Sequence, residues 1–228
     1  PEGGFNILAL KKLFSCLYES IFTVYGQKML DLYENASQQL LNSTSTSASI
    51  SEPNLAPEVV GLRSMQNAIL QILCSALSGL NNNSLSTAPS QVQNQAQRLK
   101  SLCLEQFRKS STMTMKEGVL NSVCYLDCQE KTNIVNEFYK LASGDLLLLM
   151  KWFKAQAQTA KSVANIKLLA EHREFNIKNP NLVYALFRTF FLTNASGFHD
   201  QDGLSYKFAA ETILKVDKIN PQVASRLA

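Results

Sequence analysis

The chain has 228 residues, of which 46% are hydrophobic, and a net charge of +4. The longest unbroken aliphatic run covers only residues 146–150, whereas a membrane span needs about 18 apolar residues. Basic residues are scattered, with Lys11-Lys12 and Arg108-Lys109 only as pairs, so no basic stripe could neutralise several phosphates. Composition therefore predicts a globular protein with neither a membrane nor a nucleic-acid partner.

Five cysteines bear on the compartment: Cys16, Cys74, Cys103, Cys124 and Cys128. Their number is odd and the chain is long enough to fold without disulfides, which favours free thiols in a reducing, cytoplasmic compartment. Four N-glycosylation sequons point the other way, towards secretion, at Asn35, Asn42, Asn82 and Asn194. Three of them lie in or near Ser/Asn-rich stretches, where such matches arise by chance, so we expect an intracellular protein.

Two long amphipathic helices are predicted first. Apolar residues at three-and-four spacing give the first helix one stripe, made of Leu10, Leu13, Phe14, Leu17, Ile21, Tyr25 and Leu32. The second helix follows Pro57, which fits the first helical turn because an N–H there has no helical partner to lose. Its apolar face is made of Leu62, Met65, Ile69, Ile72, Leu73 and Ala76.

Shorter amphipathic runs follow at 91–109, 115–128, 131–142, 145–158, 162–172, 180–193 and 204–218. Thr114 and Glu117 have the spacing of a capping box. No run of five residues alternates as a half-buried strand would, so the predicted fold class is all-α. Because the connections are brief, neighbouring helices should pack antiparallel. Their one-sided faces can stack as a superhelical array of the HEAT or armadillo type, although no internal sequence repeat marks such a solenoid.

Two polar stretches interrupt the helices. Residues 42–51 read NSTSTSASIS and residues 79–90 read GLNNNSLSTAPS, and both are low in complexity and rich in residues that break helices. We expect flexible surface loops at 42–56 and 79–90. The apolar faces on either side need each other for burial, which predicts a single helical domain over residues 1–228.

The two histidines do not have the spacing of a zinc site. A thermolysin-like site needs histidines four residues apart on one helix, with a glutamate between them as the base. Four residues beyond His172 lies Asn176, and four beyond His199 lies Gly203. A lone histidine beside a turn is more often a hydrogen-bonded structural residue than a ligand. The sequence therefore predicts no catalytic residue and no metal site in this chain.

A calcium loop is a poorer interpretation of the segment around His199. Asp200, Asp202 and Glu211 have the offsets of positions 1, 3 and 12 of an EF-hand. Position 6, where the sharp turn requires glycine, would be Ser205. Asp202-Gly203 is better interpreted as a turn before the next helix.

Other chemistry-bearing patterns are incomplete. Cys124 and Cys128 are four apart on a predicted helix, whereas zinc and redox motifs need two intervening residues. There is no GxSxG elbow and no glycine-rich phosphate loop. The densest aromatic cluster is expected to be core rather than a ligand pocket; its members are Tyr184, Phe187, Phe190, Phe191, Phe198, Tyr206 and Phe208.

Three blocks in the second half of the chain carry a family resemblance. The first contains Gly144-Asp145, MKWF at 150–153 and Gln156-Ala157. The second runs from NPN at 179–181 through FH at 198–199 to DG at 202–203, Tyr206 and Phe208. The third is NPQVASRL at 220–227. In this order and spacing, the blocks resemble the carboxy-terminal helical domain of zinc aminopeptidases of the aminopeptidase N family, in their bacterial and apicomplexan form.

The resemblance implies a non-catalytic domain of an enzyme that removes single amino-terminal residues from peptides, using a zinc-activated water and a glutamate base. The zinc would be held by a thermolysin-like domain of the same polypeptide, so this chain would have no cofactor of its own. The helical domain would cover the active site and shape the cavity through which peptide substrates enter. The family continues for several helical turns beyond Ala228, which implies a truncated domain.

Two residues are the candidates for contact with substrate. The family places the arginine of the motif that ends in Arg226 near the channel, where a guanidinium can hold a peptide carbonyl or carboxylate. Leu182 and Tyr184 stand where bacterial relatives carry arginines, so Tyr184 is expected to line a more apolar wall. Asn179 and Asn220, each before a proline, are expected to be helix N-caps.

The alternative is a stand-alone α-solenoid scaffold that binds protein partners and has no enzymatic activity. It would share the helical periodicity and the missing chemistry. The two interpretations differ upstream of Pro1, where an aminopeptidase would carry a GAMEN-like segment, an HExxH motif and a downstream glutamate.

Overall fold

The computed structural model of the chain describes residues 7–44, 55–80, 82–200 and 202–228. Every regular element in these ranges is helical, which confirms the all-α class. No helix in this part of the chain is both long enough and apolar enough to cross a bilayer.

The helices are α1 (Ile7–Thr44), α2 (Pro57–Gly79), α3 (Asn82–Thr87), α4 (Ser90–Lys109), α5 (Met113–Val123), α6 (Gln129–Leu141), α7 (Leu146–Gln158), α8 (Val163–Ala170), α9 (Pro180–Val183), a π-helical turn (Tyr184–Arg188), α10 (Thr189–Thr193), α11 (Ala195–Phe198), α12 (Leu204–Asp217) and α13 (Pro221–Ser225). Several predicted runs agree with these bounds to within a residue or two, including those of α4, α7 and α12.

The chain divides into two compact units, Pro1–Asn136 and Glu137–Ala228. Each unit buries its own set of large apolar side chains: Phe22, Phe107 and Leu73 in the first, and Phe153, Leu186 and Phe190 in the second. The organisation of residues 1–228 as a single domain stays a prediction.

In the first unit, α1 packs along α2. The helices have 38 and 23 residues, which correspond to about 57 Å and 35 Å at ~1.5 Å per residue. α1 therefore extends well past α2. The helices approach closely where α2 ends, because a Cβ added at Gly79 would lie 3.1 Å from the carbonyl oxygen of Ser15.

The apolar stripe predicted for α1 lies largely outside the core. Leu13, Leu17 and Tyr25 are 64%, 49% and 56% exposed, whereas Phe22 and Leu30 on another face of the helix are buried. The helix therefore has two apolar faces, and only one of them is covered by the rest of the unit. An exposed apolar stripe of this size is a feature of interaction surfaces.

A buried polar network joins four helices of the first unit. The Tyr33 hydroxyl donates to Oε1 of Gln106 at 2.7 Å. Nε2 of Gln106 in turn donates to Oδ1 of Asn67 at 2.8 Å and to the carbonyl oxygen of Met115 at 3.3 Å. Burial raises the pKa of Tyr33, so the phenol stays a donor at neutral pH. The network fixes the register of α1, α2, α4 and α5 because each buried group has a partner.

In the second unit, α7 packs against the π-helical turn and α10. Asn194 joins these elements: its Nδ2 donates to the carbonyl oxygens of Ala157 at 2.9 Å and Ala160 at 2.8 Å. Its Oδ1 accepts from the backbone N–H of Gly197 at 2.8 Å and so caps α11. Asn194 is only 5% exposed, so its sequon is not a surface glycosylation site in the folded chain.

The predicted asparagine caps are confirmed. Oδ1 of Asn179 accepts from the backbone N–H of Asn181 at 3.0 Å, and Oδ1 of Asn220 accepts from that of Val223 at 3.2 Å. Asp145 caps α7 in the same way. In both NP motifs the proline occupies the first helical turn, where its fixed φ favours the helix.

Two local predictions on α5 are wrong. The N-cap is Thr112 rather than Thr114, and no side-chain capping bond forms. The α4–α5 connection is only three residues long, so the helix begins earlier and Thr114 falls inside its first turn. At the other end, α5 stops at Val123, so Cys124 and Cys128 do not share a helix face. The ammonium of Lys131 donates to the carbonyl oxygen of Cys124 at 3.0 Å and satisfies that helix end.

The two predicted loops differ from the structure at their edges. Residues 42–44 continue α1, and Asn82–Thr87 form the short helix α3 within 79–90. Ser84 and Leu85 of α3 are half-buried, and Nε2 of Gln93 donates to the carbonyl oxygens of Ser86 and Ala88. These contacts give a polar segment enough support for one helical turn. Residues 45–54 and 81 lie outside the described residues.

Candidate functional site

Tyr184 opens the π-helical turn that divides the NPN helix. Its carbonyl oxygen accepts from the backbone N–H of Thr189, five residues further on, and also from the Thr189 hydroxyl at 3.3 Å. The Tyr184 side chain is half-buried, between the neighbouring buried residues Val183 and Ala185. Turns of this kind insert one residue into a helix and are common at functional sites.

Arg226 follows α13 and has an exposed side chain. Val223, Ala224 and Leu227 around it are buried, and α13 packs against α12. Arg226 therefore lies directly after a short packed helix, with its side chain in contact with solvent. In the described chain no hydrogen bond joins Arg226 to Tyr184, and the π-helical turn packs on α7, α8, α9 and α10 instead.

His172 lies in an aromatic cluster rather than in a polar site. Its ring centroid is 5.2 Å from that of Tyr139, 5.1 Å from that of Trp152 and 5.8 Å from that of Phe153. Nδ1 accepts from the backbone N–H of Glu174 at 3.2 Å, so this nitrogen is occupied in a turn. Burial lowers the pKa of His172, although the negative charge of Glu174 acts in the opposite direction. The residue is structural, as its isolated position in the sequence predicts.

Asp202 and Gly203 form a turn before α12, which confirms the better of the two interpretations of this segment. Oδ1 of Asp202 accepts from the backbone N–H of Leu204 at 2.9 Å, and Gly203 has a φ of +69°, which favours glycine. Nδ1 of His199 lies 2.6 Å from the Tyr206 hydroxyl. Glu211 lies about two turns into α12, so its carboxylate belongs to a different surface.

The aromatic cluster is core in its centre and open at its edges. Phe187, Phe190, Phe191 and Phe198 are buried, as predicted. Tyr206 is 50% exposed. The remaining two members, Tyr184 and Phe208, are half-buried.

The structure contains two clefts that were not predicted from the sequence. One, in the first unit, has a volume of about 520 Å³ and lies beside the network of Tyr33 and Gln106. Arg98 at its rim pairs with Glu34 at 2.8 Å and with Glu105 at 3.1 Å. Lys109 also pairs with Glu105, at 3.4 Å, so both glutamates that line this cleft are already engaged in ion pairs.

The other cleft, in the second unit, has a volume of about 410 Å³ and lies between α8 and α12. Phe175, Phe187 and Phe208 line it together with charged residues from both helices. The sequence signal that could have located it is two pairs of opposite charges at four-residue spacing, one pair on and just after α8 and the other on α12.

The described side chains do not provide a set of ligands for a zinc ion. Within the ranges that the structure covers, no three side chains of His, Cys, Asp and Glu come together in a way that could hold a metal. His172 and His199 take part in separate structural contacts.

These helices define an all-α fold of the armadillo type. A family model described as "Domain of unknown function (DUF3458_C) ARM repeats" matches residues 10–228. The chain belongs to this family and corresponds to a carboxy-terminal domain of aminopeptidases of the aminopeptidase N type. This match confirms both the predicted resemblance and the all-α solenoid class.

Similar proteins include two bacterial aminopeptidases N. The chain is 25% identical to the one from Escherichia coli over 96% of its length, and 32% identical to the one from Caulobacter vibrioides over 54%. It spans only 22% and 15% of those proteins. The crystal structure of Legionella pneumophila aminopeptidase A in complex with aspartic acid is similar in fold, with a TM-score of 0.68 and 23% identity. That match covers 93% of this chain and 23% of the other.

Proposed function

We propose that the chain is the non-catalytic, carboxy-terminal part of a zinc aminopeptidase that removes amino-terminal residues from peptides. In this role it covers the active site and shapes the cavity through which substrates enter. The observation that carries the proposal is the family match over residues 10–228, in a chain whose described side chains build no metal site. The zinc and the catalytic glutamate then belong to a thermolysin-like domain of the same polypeptide.

The exposed stripe of α1 supports packing against another domain. We name this stripe the α1 apolar face and define it by Leu10, Leu13, Phe14, Leu17 and Tyr25, which are 36% to 64% exposed. Side chains of this size are rarely left in water along one helix of a folded domain. The catalytic domain of the parent polypeptide is the partner that the family match suggests.

Arg226 is the residue that we propose to contact peptide substrates, and Tyr184 the residue that lines the cavity wall. An exposed guanidinium on a short, capped helix can form paired hydrogen bonds with a substrate carboxylate or carbonyl. Tyr184 offers a half-buried phenol on an irregular turn, which suits an apolar wall with one polar group.

Kinetics of the full-length parent test the role of Arg226. Arg226→Ala should lower kcat/KM about tenfold for peptides with a free carboxylate, because one charged hydrogen-bonding pair is lost. The same substitution should leave kcat/KM for aminoacyl anilides, which have no carboxylate, unchanged. Lys218→Ala, at an exposed position at the end of α12, is the matched control. Equal losses on both substrate types would contradict the role.

The coding sequence upstream of Pro1 distinguishes this proposal from the alternative, a stand-alone scaffold. The proposal requires an open reading frame that encodes a GAMEN-like segment and HExxH followed by a glutamate. A start codon immediately before Pro1 would favour the scaffold. The α1 apolar face would then bind a separate protein rather than a domain of the same polypeptide.

A reducing compartment such as the cytoplasm is part of the proposal. Its support is that all five cysteines are free thiols, even though the sulfurs of Cys74 and Cys103 lie only 3.8 Å apart in the core. Thiol titration of protein purified under non-reducing conditions should therefore find five thiols under denaturing conditions. Recovery of disulfide-linked or glycosylated protein would point to secretion.

A further inference from the structure

The cleft between α8 and α12 has an aromatic floor that the local fold holds in place. The ring centroids of Phe175 and Phe187 lie 5.3 Å apart, and those of Phe187 and Phe208 lie 5.9 Å apart, both close to edge-to-face. Phe187 is buried and belongs to the π-helical turn, while its two neighbours are half-buried. The floor can therefore receive an apolar group from solvent without rearranging the core.

The walls carry charges of both signs. Lys167 and Glu171 are four residues apart on and just after α8, and Glu211 and Lys215 are four apart on α12, so each pair shares one face. All four side chains are exposed. The ammonium of Lys167 lies 5.6 Å from the centroid of the Phe208 ring, over the floor.

These charges are available to a ligand. Within the described part of the chain, none of the four forms an ion pair or side-chain hydrogen bond. This contrasts with the cleft of the first unit, where Arg98 is bound by two glutamates. Two ammonium groups and two carboxylates around an apolar floor match a molecule that has one charge of each sign beside an apolar group.

We propose that this cleft binds a small zwitterion with an apolar side chain, such as a free aromatic α-amino acid or a short peptide with both ends charged. The apolar side chain lies on the phenylalanine floor, the carboxylate meets the lysines and the ammonium meets the glutamates. A volume of about 410 Å³ lies near the lower end of the range for small-molecule sites, about 300–1,000 Å³. The proposal rests on this geometry and not on the activity of a parent enzyme.

Fluorine NMR of 4-fluoro-L-phenylalanine with the 228-residue chain tests the site. We expect saturable line broadening with a dissociation constant on the order of 1 mM, as suits a small ligand in an open cleft. The N-acetylated ligand lacks the ammonium and the amide ligand lacks the carboxylate, so each should bind about tenfold more weakly. Displacement by L-phenylalanine and by phenylalanyl-phenylalanine shows whether a free amino acid or a dipeptide binds more tightly. Either result supports the site.

Variants locate the binding on the protein. The double substitution Lys167→Met and Lys215→Met should weaken binding at least about tenfold, and so should Glu171→Gln with Glu211→Gln. Lys207→Met, also exposed on α12 but outside the cleft, is the matched control and should bind as the unaltered chain does. Circular dichroism checks that each variant is folded, and the two pairs of substitutions test the walls independently.

Two results would overturn the proposal. One is the absence of saturable broadening up to about 10 mM ligand. The other is line broadening that stays the same in both double variants, or with both the N-acetylated and the amide ligand. Binding would then depend on the aromatic ring of the ligand and not on its charges.

Discussion

The Asn194 side chain joins three backbone groups of the second unit. It donates to the carbonyl oxygens of Ala157 and Ala160 and accepts from the N–H of Gly197. The adjacent space is closed, since a Cβ added at Gly197 would collide with the carbonyl oxygen of Ala160. Asn194, which matches a glycosylation sequon, is thus a buried residue whose hydrogen bonds join α7 to α11.

Asn194→Ala should lower the free energy of unfolding by about 3 kcal/mol, because several buried backbone groups lose their partners. Chemical denaturation followed by circular dichroism gives the value. Asn181→Ala, at an exposed position in the same unit, is the control and should change stability by less than about 0.5 kcal/mol. A loss at Asn194 as small as that of the control would refute its connecting role.

His172 should make stability depend on pH. Burial lowers its pKa below the ordinary value of 6.5, so the unfolded chain takes up a proton before the folded chain does. Stability is therefore greatest above pH 6.5 and decreases as the pH falls through the folded pKa.

The test compares the chain with His172→Phe, which keeps an aromatic ring among Tyr139, Trp152 and Phe153. Between pH 7.5 and about 5 the unaltered chain should lose more stability than the variant, as measured by denaturation midpoints. Parallel curves for the two proteins would show that His172 is not held neutral by its surroundings.

At the scale of elements, helix existence and caps could be predicted from the sequence, whereas helix interruptions could not. The NP motifs at Asn179 and Asn220 were sufficient to predict the two helix N-caps, because capping depends on residues close in sequence. The π-helical turn at Tyr184 depends on which side chains α7 and α8 present to it, and this information is distant in sequence. The cleft beside Phe187 was missed for the same reason, since periodicity alone does not show which helices are neighbours.

The exposure of the α1 apolar face could not be predicted from the sequence either. The stripe of Leu13 and Leu17 and the face of Phe22 and Leu30 have similar helical spacing. Only the packing of α2 shows which one is buried. Amphipathicity predicts that a face will be covered, but the partner that covers it can be another domain.

Leu13→Gln with Leu17→Gln should therefore leave the stability of the isolated chain unchanged to within about 0.5 kcal/mol, since both side chains are already exposed. Phe22→Ala, a fully buried position on the same helix, should cost about 3–5 kcal/mol. Thermal or chemical unfolding of the three proteins checks this contrast. A large loss from the double substitution would mean that the face already packs within this chain.

At the scale of the whole molecule, the chain corresponds to 15–22% of the aminopeptidases N that it resembles, and its described residues form no metal site. Its two units contribute helices, a large exposed apolar face and an aromatic cleft with charged walls. The resemblance of the NPN, DG and NPQVASRL blocks identified the family correctly. The same blocks form caps, turns and core, which is why they identify the fold.

The non-catalytic role of this chain is tested by measuring zinc content and the hydrolysis of aminoacyl fluorogenic substrates in parallel, for the 228-residue chain and for the full-length polypeptide. We expect the full-length protein to bind zinc stoichiometrically and to show chelator-sensitive turnover, and the chain alone to show neither. Chelator-sensitive turnover by the chain alone would refute this role, and so would a full-length protein without zinc and without turnover.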